Sequence, residues 1–205
     1  MDFIDLLRTP GYKRAVALRR GAAVVLVLCA GLSALLNRAS SDPRVVVFAR
    51  DVQPGTVLAK SDVDLSPLPE EVSPPAALTS VDAVEGQIVA SHASAGEVVA
   101  PTRLIGPDLT RALVGDDAGK YTMVPVKLAE PDIIPMLHHG DHVSVVTAGD
   151  GSPQTVADSG IVILAGTPED ENSSSVLLLL RHGDAAAVAA ASLTSPLAVV
   201  IAIAS

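Results

Sequence analysis

The strongest feature of the hydrophobic pattern is an uncharged run near the N-terminus. Residues 21–36, GAAVVLVLCAGLSALL, form sixteen uncharged positions preceded by five basic residues. A helix of this length rises about 24 Å, short of the roughly 30 Å hydrocarbon core of a bilayer, but flanking arginines can extend their charged ends to the interface. The pattern predicts a transmembrane helix over 21–36 after a basic cytoplasmic segment over 1–20.

A cleaved signal peptide is the alternative interpretation of this run, because basic residues, an apolar core and small residues follow in that order. The long basic segment and the residues Asn37 and Arg38 directly after the core favour an uncleaved, single-pass anchor. Basic residues concentrate before the run, so the N-terminus is expected in the cytoplasm and the rest of the chain outside it. Lipidation of Cys29 is disfavoured, since Leu28 stands where a small residue is needed.

A second uncharged run, residues 185–204, has the length of a membrane helix but not its composition. Its first half is rich in Ala, Ser195-Pro196 interrupts it, and its second half is rich in β-branched residues. A residue before proline avoids the helical region, so the run is predicted as a helix followed by a buried strand.

Two segments after the anchor repeat each other. Residues 49–63 and 90–104 align without a gap at an offset of 41 residues. The identical pairs are Ala49 and Ala90, Gly55 and Gly96, Val57 and Val98, and Ala59 and Ala100. Each copy is predicted as an extended segment, a tight turn at the glycine and a second extended segment. Pro54-Gly55 suits a type II turn, which requires a positive φ at the glycine.

The remaining chain predicts further β-structure with two helices. Residues 106–120 are predicted as a linker and 168–175 as an exposed acidic loop. A helix is expected from Pro131 to Gly140-Asp141, and another over 183–193 with Asp184 as its N-cap. The predicted strands are YTMVPVKL, HVSVVTAG, QTVADSGIVILAGT, VLLLL and PLAVVIAIA. The fold class expected is mostly β with an α+β domain over 121–205.

Charge and cysteine content restrict the class of function. The formal net charge is −9, with six basic and two acidic residues over 1–38 and eight basic and 21 acidic residues over 39–205. An acidic body argues against a nucleic-acid partner, since binding phosphates requires a basic surface. The chain has one cysteine, so no intramolecular disulfide can form.

Three motifs could carry chemistry, and each has a simpler structural interpretation. The cluster His138, His139, Asp141 and His142 contains zinc-ligand types but lacks a second cluster that would complete a site. Arg181-His182-Gly183 resembles a histidine phosphatase motif without its partner residues. Arg50-Asp51 could face a ligand, although a solvated pair beside a turn is the simpler interpretation. We therefore predict no catalytic, cofactor-binding or metal-binding residues, and no enzymatic activity.

The repeat carries a family resemblance. VVVFARDVQPGTVLAKSDVDL and VEGQIVASHASAGEVVAPTRLI, within residues 45–105, resemble an SAF domain, a β-clip module. The whole chain resembles Flp-type pilus assembly proteins of the CpaB/RcpC type, including a turn that here reads HGDHVSV over 139–145. That resemblance implies a single membrane segment, an SAF domain and a second β-rich domain.

The resulting hypothesis is a membrane-anchored, extracytoplasmic structural or assembly protein of a Flp-type pilus or a related envelope assembly. Its expected partners are the membrane and other envelope or pilus proteins, and a homo-oligomer is left open. The alternative is an SAF chaperone or cell-wall carbohydrate-binding module without a pilus. We also expect FARDVQPGTVL, residues 48–58, to offer a sheet edge to a partner strand.

Overall fold

The computed structural model describes residues 12–40, 43–148, 152–166 and 174–202. The chain divides into two compact units, one of Met1–Pro43 with Leu68–Glu70 and one of Arg44–Pro67 with Glu71–Ser205. Most of the predicted acidic loop at 168–175 and the first eleven residues of the predicted cytoplasmic segment lie outside the described residues.

The first unit contains one long helix, α1, over Tyr12–Ser40. Its side chains from Arg19 to Ala34 are exposed, among them Leu26, Val27 and Leu28 at 69%, 71% and 67%. Within the described part of the chain, no helix has the length and apolar character needed to cross a membrane. The helical conformation of 21–36 therefore agrees with the prediction, while its membrane-spanning role is not confirmed.

The second unit begins with a small β module over residues 44–105. Strands β1 (Arg44–Phe48) and β2 (Val63–Pro67) form an antiparallel pair. The core of the module consists of Val46, Phe48, Val52, Leu58, Val63, Val84, Val89, Ala93, Val99 and Leu104. Most of these side chains come from the two repeat copies, so the repeat builds the core from both halves.

A five-stranded antiparallel sheet forms the rest of the second unit. Its strands are β3 (Tyr121–Lys127), β4 (His142–Ala148), β5 (Pro153–Ala165), β6 (Ser175–Arg181) and β7 (Leu197–Ile201). The spatial order is β3-β6-β5-β4-β7, and every neighbouring pair is antiparallel. All five predicted strands are confirmed, and so is the mostly β, α+β fold class.

Both faces of the sheet are covered at its β3-β6-β5 end. Leu178 and Leu180 of β6 lie in a core that also contains Val188 of helix α3, over His182–Ser192. The alternate residues Leu177 and Leu179 contact a second cluster with Leu109. This alternation follows from the period of two in a strand. A helix followed by a strand was predicted for 185–204, and it is confirmed up to residue 202.

Three local predictions need correction. Residues 106–120, predicted as a linker, form helix α2 over Pro107–Val114 and a 3-10 helix over Gly115–Lys120. Leu109 is 3% exposed, so this segment packs as part of the fold rather than connecting two parts loosely. The helix predicted from Pro131 is a 3-10 helix that ends at Met136.

The third correction concerns Asp184. Helix α3 has Arg181 as its N-cap, and Asp184 lies within the first turn. Asp184 is therefore not the capping residue, because the helix starts two residues before it. A carboxylate in the first turn still favours the helix through the positive end of the helix dipole.

Candidate recognition surface

The two repeat copies pair with each other about a local two-fold axis. Val52 and Ala93, which are equivalent positions of the two copies, exchange reciprocal backbone hydrogen bonds of 2.8 and 3.0 Å. Val47 pairs with Val98, and the symmetry-related partners Ile88 and Val57 pair in the same way. Only a two-fold relation converts each of these pairs into the other, so the repeat seen in the sequence is confirmed as a structural duplication.

Several backbone hydrogen bonds of the two copies correspond to each other. Gly96 N–H donates to Phe48 at 2.7 Å, and Gly55 N–H donates to Val89 at 2.7 Å. The further matched bonds are Val99 to Val46 and Leu58 to Gln87, both 2.8 Å, and Ala49 to Asp62 and Ala90 to Arg103, 2.8 and 2.9 Å. The backbone of the module is therefore determined by features that both copies share.

Gly55 and Gly96 occupy the tight turns of the two copies. Their φ angles are +84° and +83°, a region that side chains with a Cβ rarely adopt. Thr56 N–H donates to Gln53 at 3.2 Å, and Glu97 N–H donates to Ser94 at 3.1 Å, which closes each turn. The predicted positive φ at both glycines is confirmed, as is the turn around Pro54-Gly55.

The side chain of Asp62 holds the end of the first copy. It is the more buried partner of an ion pair in which Arg50 Nε lies 2.8 Å from Asp62 Oδ1, with side-chain exposures of 60% and 6%. Ala59 N–H donates to Asp62 Oδ2 at 2.9 Å. The Ala59 N–H, followed by the Arg50 guanidinium, holds the pKa of Asp62 below its ordinary value even though burial acts in the opposite direction.

The equivalent position in the second copy has the opposite charge. Arg103 replaces Asp62, and it donates to Ser91 Oγ, the residue equivalent to Arg50, at 2.7 Å. Arg103 also forms an ion pair with Glu97, and both side chains are about one-third exposed. Each copy thus connects the same two positions through side chains, but with the charge reversed and the burial reduced.

A second asymmetry involves Asp51. Its Oδ1 accepts a 2.9 Å hydrogen bond from Ala95 N–H in the turn of the second copy. The equivalent turn residue in the first copy is Pro54, which has no N–H, and the residue equivalent to Asp51 is His92. The carboxylate acceptor, Asp51, is therefore present opposite Ala95, which has an N–H, and is absent opposite Pro54, which has none.

The sequence-predicted pair Arg50-Asp51 is thus divided between two structural roles. Arg50 contacts Asp62 and Asp51 contacts Ala95, so the two neighbours act in different directions. Both residues are exposed, as the solvated-pair interpretation expects, but each also has a partner elsewhere in the module. Their partners lie far away in sequence, and this is why inspection of the local motif did not reveal them.

The expected strand edge over residues 48–58 is already paired within the module. Amide N–H groups of this stretch donate to the second copy at Phe48, Val52, Gly55 and Leu58, with acceptors Glu97, Ala93, Val89 and Gln87. A partner strand would have to displace these bonds. The hydrogen bonding therefore does not support strand addition at residues 48–58.

One side of the module leaves apolar side chains exposed. Val57 and Ile88, which pair across the two copies, are 57% and 36% exposed, and we call them the Val57–Ile88 patch. The symmetry-related pair Val47 and Val98 is less exposed, since both residues are half-buried. On that side Leu78 accepts from Val46 N–H at 2.7 Å and donates to Val99 at 3.1 Å.

Lys60 lies three residues after Val57, and Glu85 lies three residues before Ile88. Lys60 Nζ lies 2.7 Å from Asp82 Oδ1 and 3.5 Å from Glu85 Oε2. The two carboxylates raise the pKa of Lys60, Asp82 contributing most through its hydrogen bond.

The histidine cluster forms a turn. Asp141 Oδ2 accepts from His138 N–H at 2.7 Å, Gly140 has a φ of +93°, and His139 Nδ1 lies 2.9 Å from the carbonyl oxygen of Ile163. These contacts account for Asp141 and Gly140 as turn residues. Within the described residues, no group of three or more His, Cys, Asp and Glu side chains is arranged to hold a metal ion.

The motif at Arg181 and His182 also makes structural contacts. Arg181 Nε lies 3.3 Å from the hydroxyl oxygen of Tyr121, and its guanidinium carbon lies 5.8 Å from the centre of that ring. His182 Nε2 lies 3.2 Å from the Tyr121 carbonyl oxygen. These contacts join β3 to the beginning of α3.

The duplicated, two-fold β module defines the class to which this region belongs. Residues 43–105 match the SAF domain family, and the chain therefore carries an SAF domain, as its resemblance over 45–105 predicted. Comparison with curated proteins and with solved structures gives no significant match. The resemblance to Flp-type pilus assembly proteins remains a prediction.

Sequence reasoning missed Asp62 and Ile88 as key residues of the module. Asp62 lies in the segment that carries the SAF resemblance, but nothing local in the sequence indicated that it is buried and paired with Arg50. Ile88 lies just before the second copy, so the alignment of 49–63 with 90–104 did not include it. Extending the alignment backward by a few residues would have matched Ile88 with Val47.

Proposed function

We propose that the protein is a structural or assembly component of the cell envelope, in which the SAF domain recognises a partner and α1 holds the molecule at a membrane. The observation that supports it most is the SAF domain itself, whose backbone is paired internally and whose exposed surface differs between its two symmetric sides. A rigid module of this kind suits recognition, because little conformational entropy is lost when it binds.

The Val57–Ile88 patch is the part of the SAF domain that we assign to partner contact. The patch is apolar and exposed, while the symmetric side is half-buried beside Leu78. Its rim, Lys60 with Asp82 and Glu85, carries both signs of charge. Such a rim favours a partner surface that is itself polar at its edge and apolar at its centre.

Anchoring at a membrane is supported by the sequence and by the exposure of α1. Apolar side chains from Val24 to Leu28 are between 58% and 71% exposed, although a helix in water usually hides such residues. The run over 21–36 is shorter than the roughly 20 residues that span a bilayer. The proposal therefore requires Arg19, Arg20 and Arg38 to extend to the interface.

Assembly of a Flp-type pilus is the specific role that we favour, since the resemblance covers the whole chain from the anchor to the last strand. The alternative, a carbohydrate-binding module, has less support. Residues 43–105 contain one aromatic residue, Phe48, which is 1% exposed. Ligand sites usually use exposed aromatic faces as platforms, and the described SAF surface offers none.

Crosslinking in cells followed by affinity purification tests the recognition step. The wild-type chain should co-purify with the same envelope proteins in repeated experiments, and Val57→Asp should reduce their yield. Val57→Thr is the matched control, because it keeps the β-branched shape and adds no charge. Equal partner yields from Val57→Asp and wild type would exclude this patch as the contact.

Membrane association is tested separately by fractionation. The full chain should stay with membranes after alkaline washing, and Val25→Lys with Leu28→Lys should release it, since each charge is costly in hydrocarbon. Replacing Arg50 by Lys leaves α1 unchanged and serves as the control. A wild-type chain found only in the soluble fraction would contradict anchoring while leaving partner recognition untouched.

A further inference from the structure

The two edge strands of the five-stranded sheet differ in how they are protected. Strand β3 carries Pro125, which lacks an N–H, and Lys127, an exposed charge. Both are features by which natural sheets prevent pairing at an edge. Strand β7 reads LAVVI over 197–201 and contains neither a proline nor a charged residue. Its edge lacks the protection that the opposite edge has.

The backbone groups that point outward from β7 can be identified from its register. Ala202 N–H donates to His142 at 2.8 Å, and β7 pairs with β4 without a register shift. Because direction alternates along a strand, Val199 and Ile201 direct their N–H and C=O groups away from β4. Leu197 also faces outward, and its carbonyl oxygen accepts from Ala129 N–H at 2.8 Å.

The backbone groups of Val199 and Ile201 have no hydrogen-bond partner among the described residues on this side. The segment at Leu128 and Ala129 covers the beginning of β7 and continues into Pro131, which has no N–H to donate. The second half of β7 is therefore the unpaired part of the edge.

Val199 is buried, but the end of β7 exposes an apolar side chain on each face. Val200 is 53% exposed and Ile201 is 39% exposed, and successive residues point to opposite faces. An unprotected edge that ends in exposed apolar side chains is suited to pairing with a further strand.

Charge decides which occupant fits. Residues 39–205 contain 21 acidic and eight basic residues, so two copies of the chain repel each other over most of their surfaces. Residues 197–202 have no charged side chain, so copies meet there with the least repulsion. A basic partner peptide would find no carboxylate on this strand to pair with. A two-fold axis can pair this uncharged strand with the same strand of a second copy in antiparallel orientation.

We propose that the β7 strands of two copies pair antiparallel about a two-fold axis at Val200, giving a dimer with one continuous sheet. Val199 of each copy then exchanges backbone hydrogen bonds with Ile201 of the other. Val200 faces Val200 of the partner copy as a non-hydrogen-bonded pair, with Cα atoms about 4.5 Å apart. This dimer does not depend on the proposed function, because it uses the sheet and not the SAF domain or α1.

Disulfide crosslinking tests the register directly. In a Cys29→Ala background, the full chain with Val200→Cys should form an interchain disulfide under mild oxidation, since cysteine Cα atoms at this distance can be bridged. Ala198→Cys is the matched control, on the same exposed face of the same strand. The proposed register separates the two Ala198 Cα atoms by roughly 14 Å, so this variant should remain monomeric on a denaturing gel.

Dissociation of the dimer gives an independent readout. Val200→Lys places two like charges opposite each other and should raise the dimer dissociation constant about tenfold or more, whereas Val200→Thr should change it little. Sedimentation of the full chain in mild detergent measures both variants. The proposal is overturned if Val200→Cys crosslinks no better than Ala198→Cys, or if Val200→Lys dimerises as wild type does.

Discussion

The two halves of the SAF domain share a backbone and differ in chemistry. Around Val52 and Ala93 the copies repeat each other's hydrogen bonds to within a few tenths of an ångström. At one pair of equivalent positions, however, the first copy has a buried Asp62 and the second has Arg103, which is about one-third exposed. The shared features determine the fold and the divergent ones determine the surface. The two sides of the module therefore differ in exposure, with Val57 and Ile88 more exposed than Val47 and Val98.

Replacing the turn glycines should have the largest effect, and the same effect in both copies. Gly55→Val and Gly96→Val should each lower the free energy of unfolding by about 1–2 kcal/mol, because a β-branched residue is strained at positive φ. An ideal Cβ at Gly96 meets no atom within 4 Å, so the cost there is backbone strain rather than a clash. Urea unfolding of the full chain, with proteolysis as the readout, measures the unfolding free energy of both variants.

Gly183→Ala is the control for this experiment. Gly183 lies in α3, and its Cβ would also meet open space. An alanine there should stabilise by about 0.5–1 kcal/mol through helix propensity. A loss confined to one of the two turn glycines would contradict the equivalence of the copies.

Replacing Asp62 and Arg103, the equivalent residues near the ends of the two copies, should lower stability by different amounts. Asp62→Ala should cost about 2 kcal/mol, because it removes a buried carboxylate that accepts from Ala59 N–H and Arg50. Arg103→Ala should cost less than about 1 kcal/mol, since Arg103 and Glu97 are partly exposed to water. Equal losses would show that burial does not distinguish the two positions.

Acid should remove the contribution of Asp62. The pKa of Asp62 lies below its ordinary value of 3.8 in the folded chain, so its stabilisation is complete above that value and is lost as the pH falls through the folded pKa. The difference in unfolding free energy between wild type and Asp62→Asn should be constant near neutrality and shrink below about pH 3.8. If the difference between wild type and Asp62→Asn grew in acid, the pKa of Asp62 would be raised rather than lowered by folding.

The smallest effect concerns Asp51 and the turn of the second copy. Ala95→Pro converts that turn to the Pro-Gly form of the first copy and removes the N–H that Asp51 accepts from. In wild type the change should cost about 0.5–1 kcal/mol, and in an Asp51→Ala background it should be neutral. His92→Ala is the control, because the residue facing its position is Pro54. Additive effects of Asp51→Ala and Ala95→Pro would show that the hydrogen bond contributes nothing.

The elements of the fold could be predicted where the local pattern was strong. Strand-like composition and apolar runs located β3 to β7, and the paired glycines located the turns of the SAF domain. Helix α2 was missed, because a short segment between Gly106 and Gly115 reads as a linker until Leu109 is seen packed with Ile163 and Leu179. The ion pair of Arg50 was missed for a related reason, since its partner is set by the turn geometry and not by the neighbouring residue.

The most direct test of the recognition role compares equivalent positions of the two copies. A photoreactive amino acid is placed at Val57 or at Val98, and the full chain is irradiated in cells. Val57 should give a discrete adduct with an envelope protein, and Ile88→Asp should abolish it, while Val98 should give little or none. Equal adducts from Val57 and Val98, or an adduct at Val57 that persists with Ile88→Asp, would contradict the assignment of the partner contact to one side of the SAF domain.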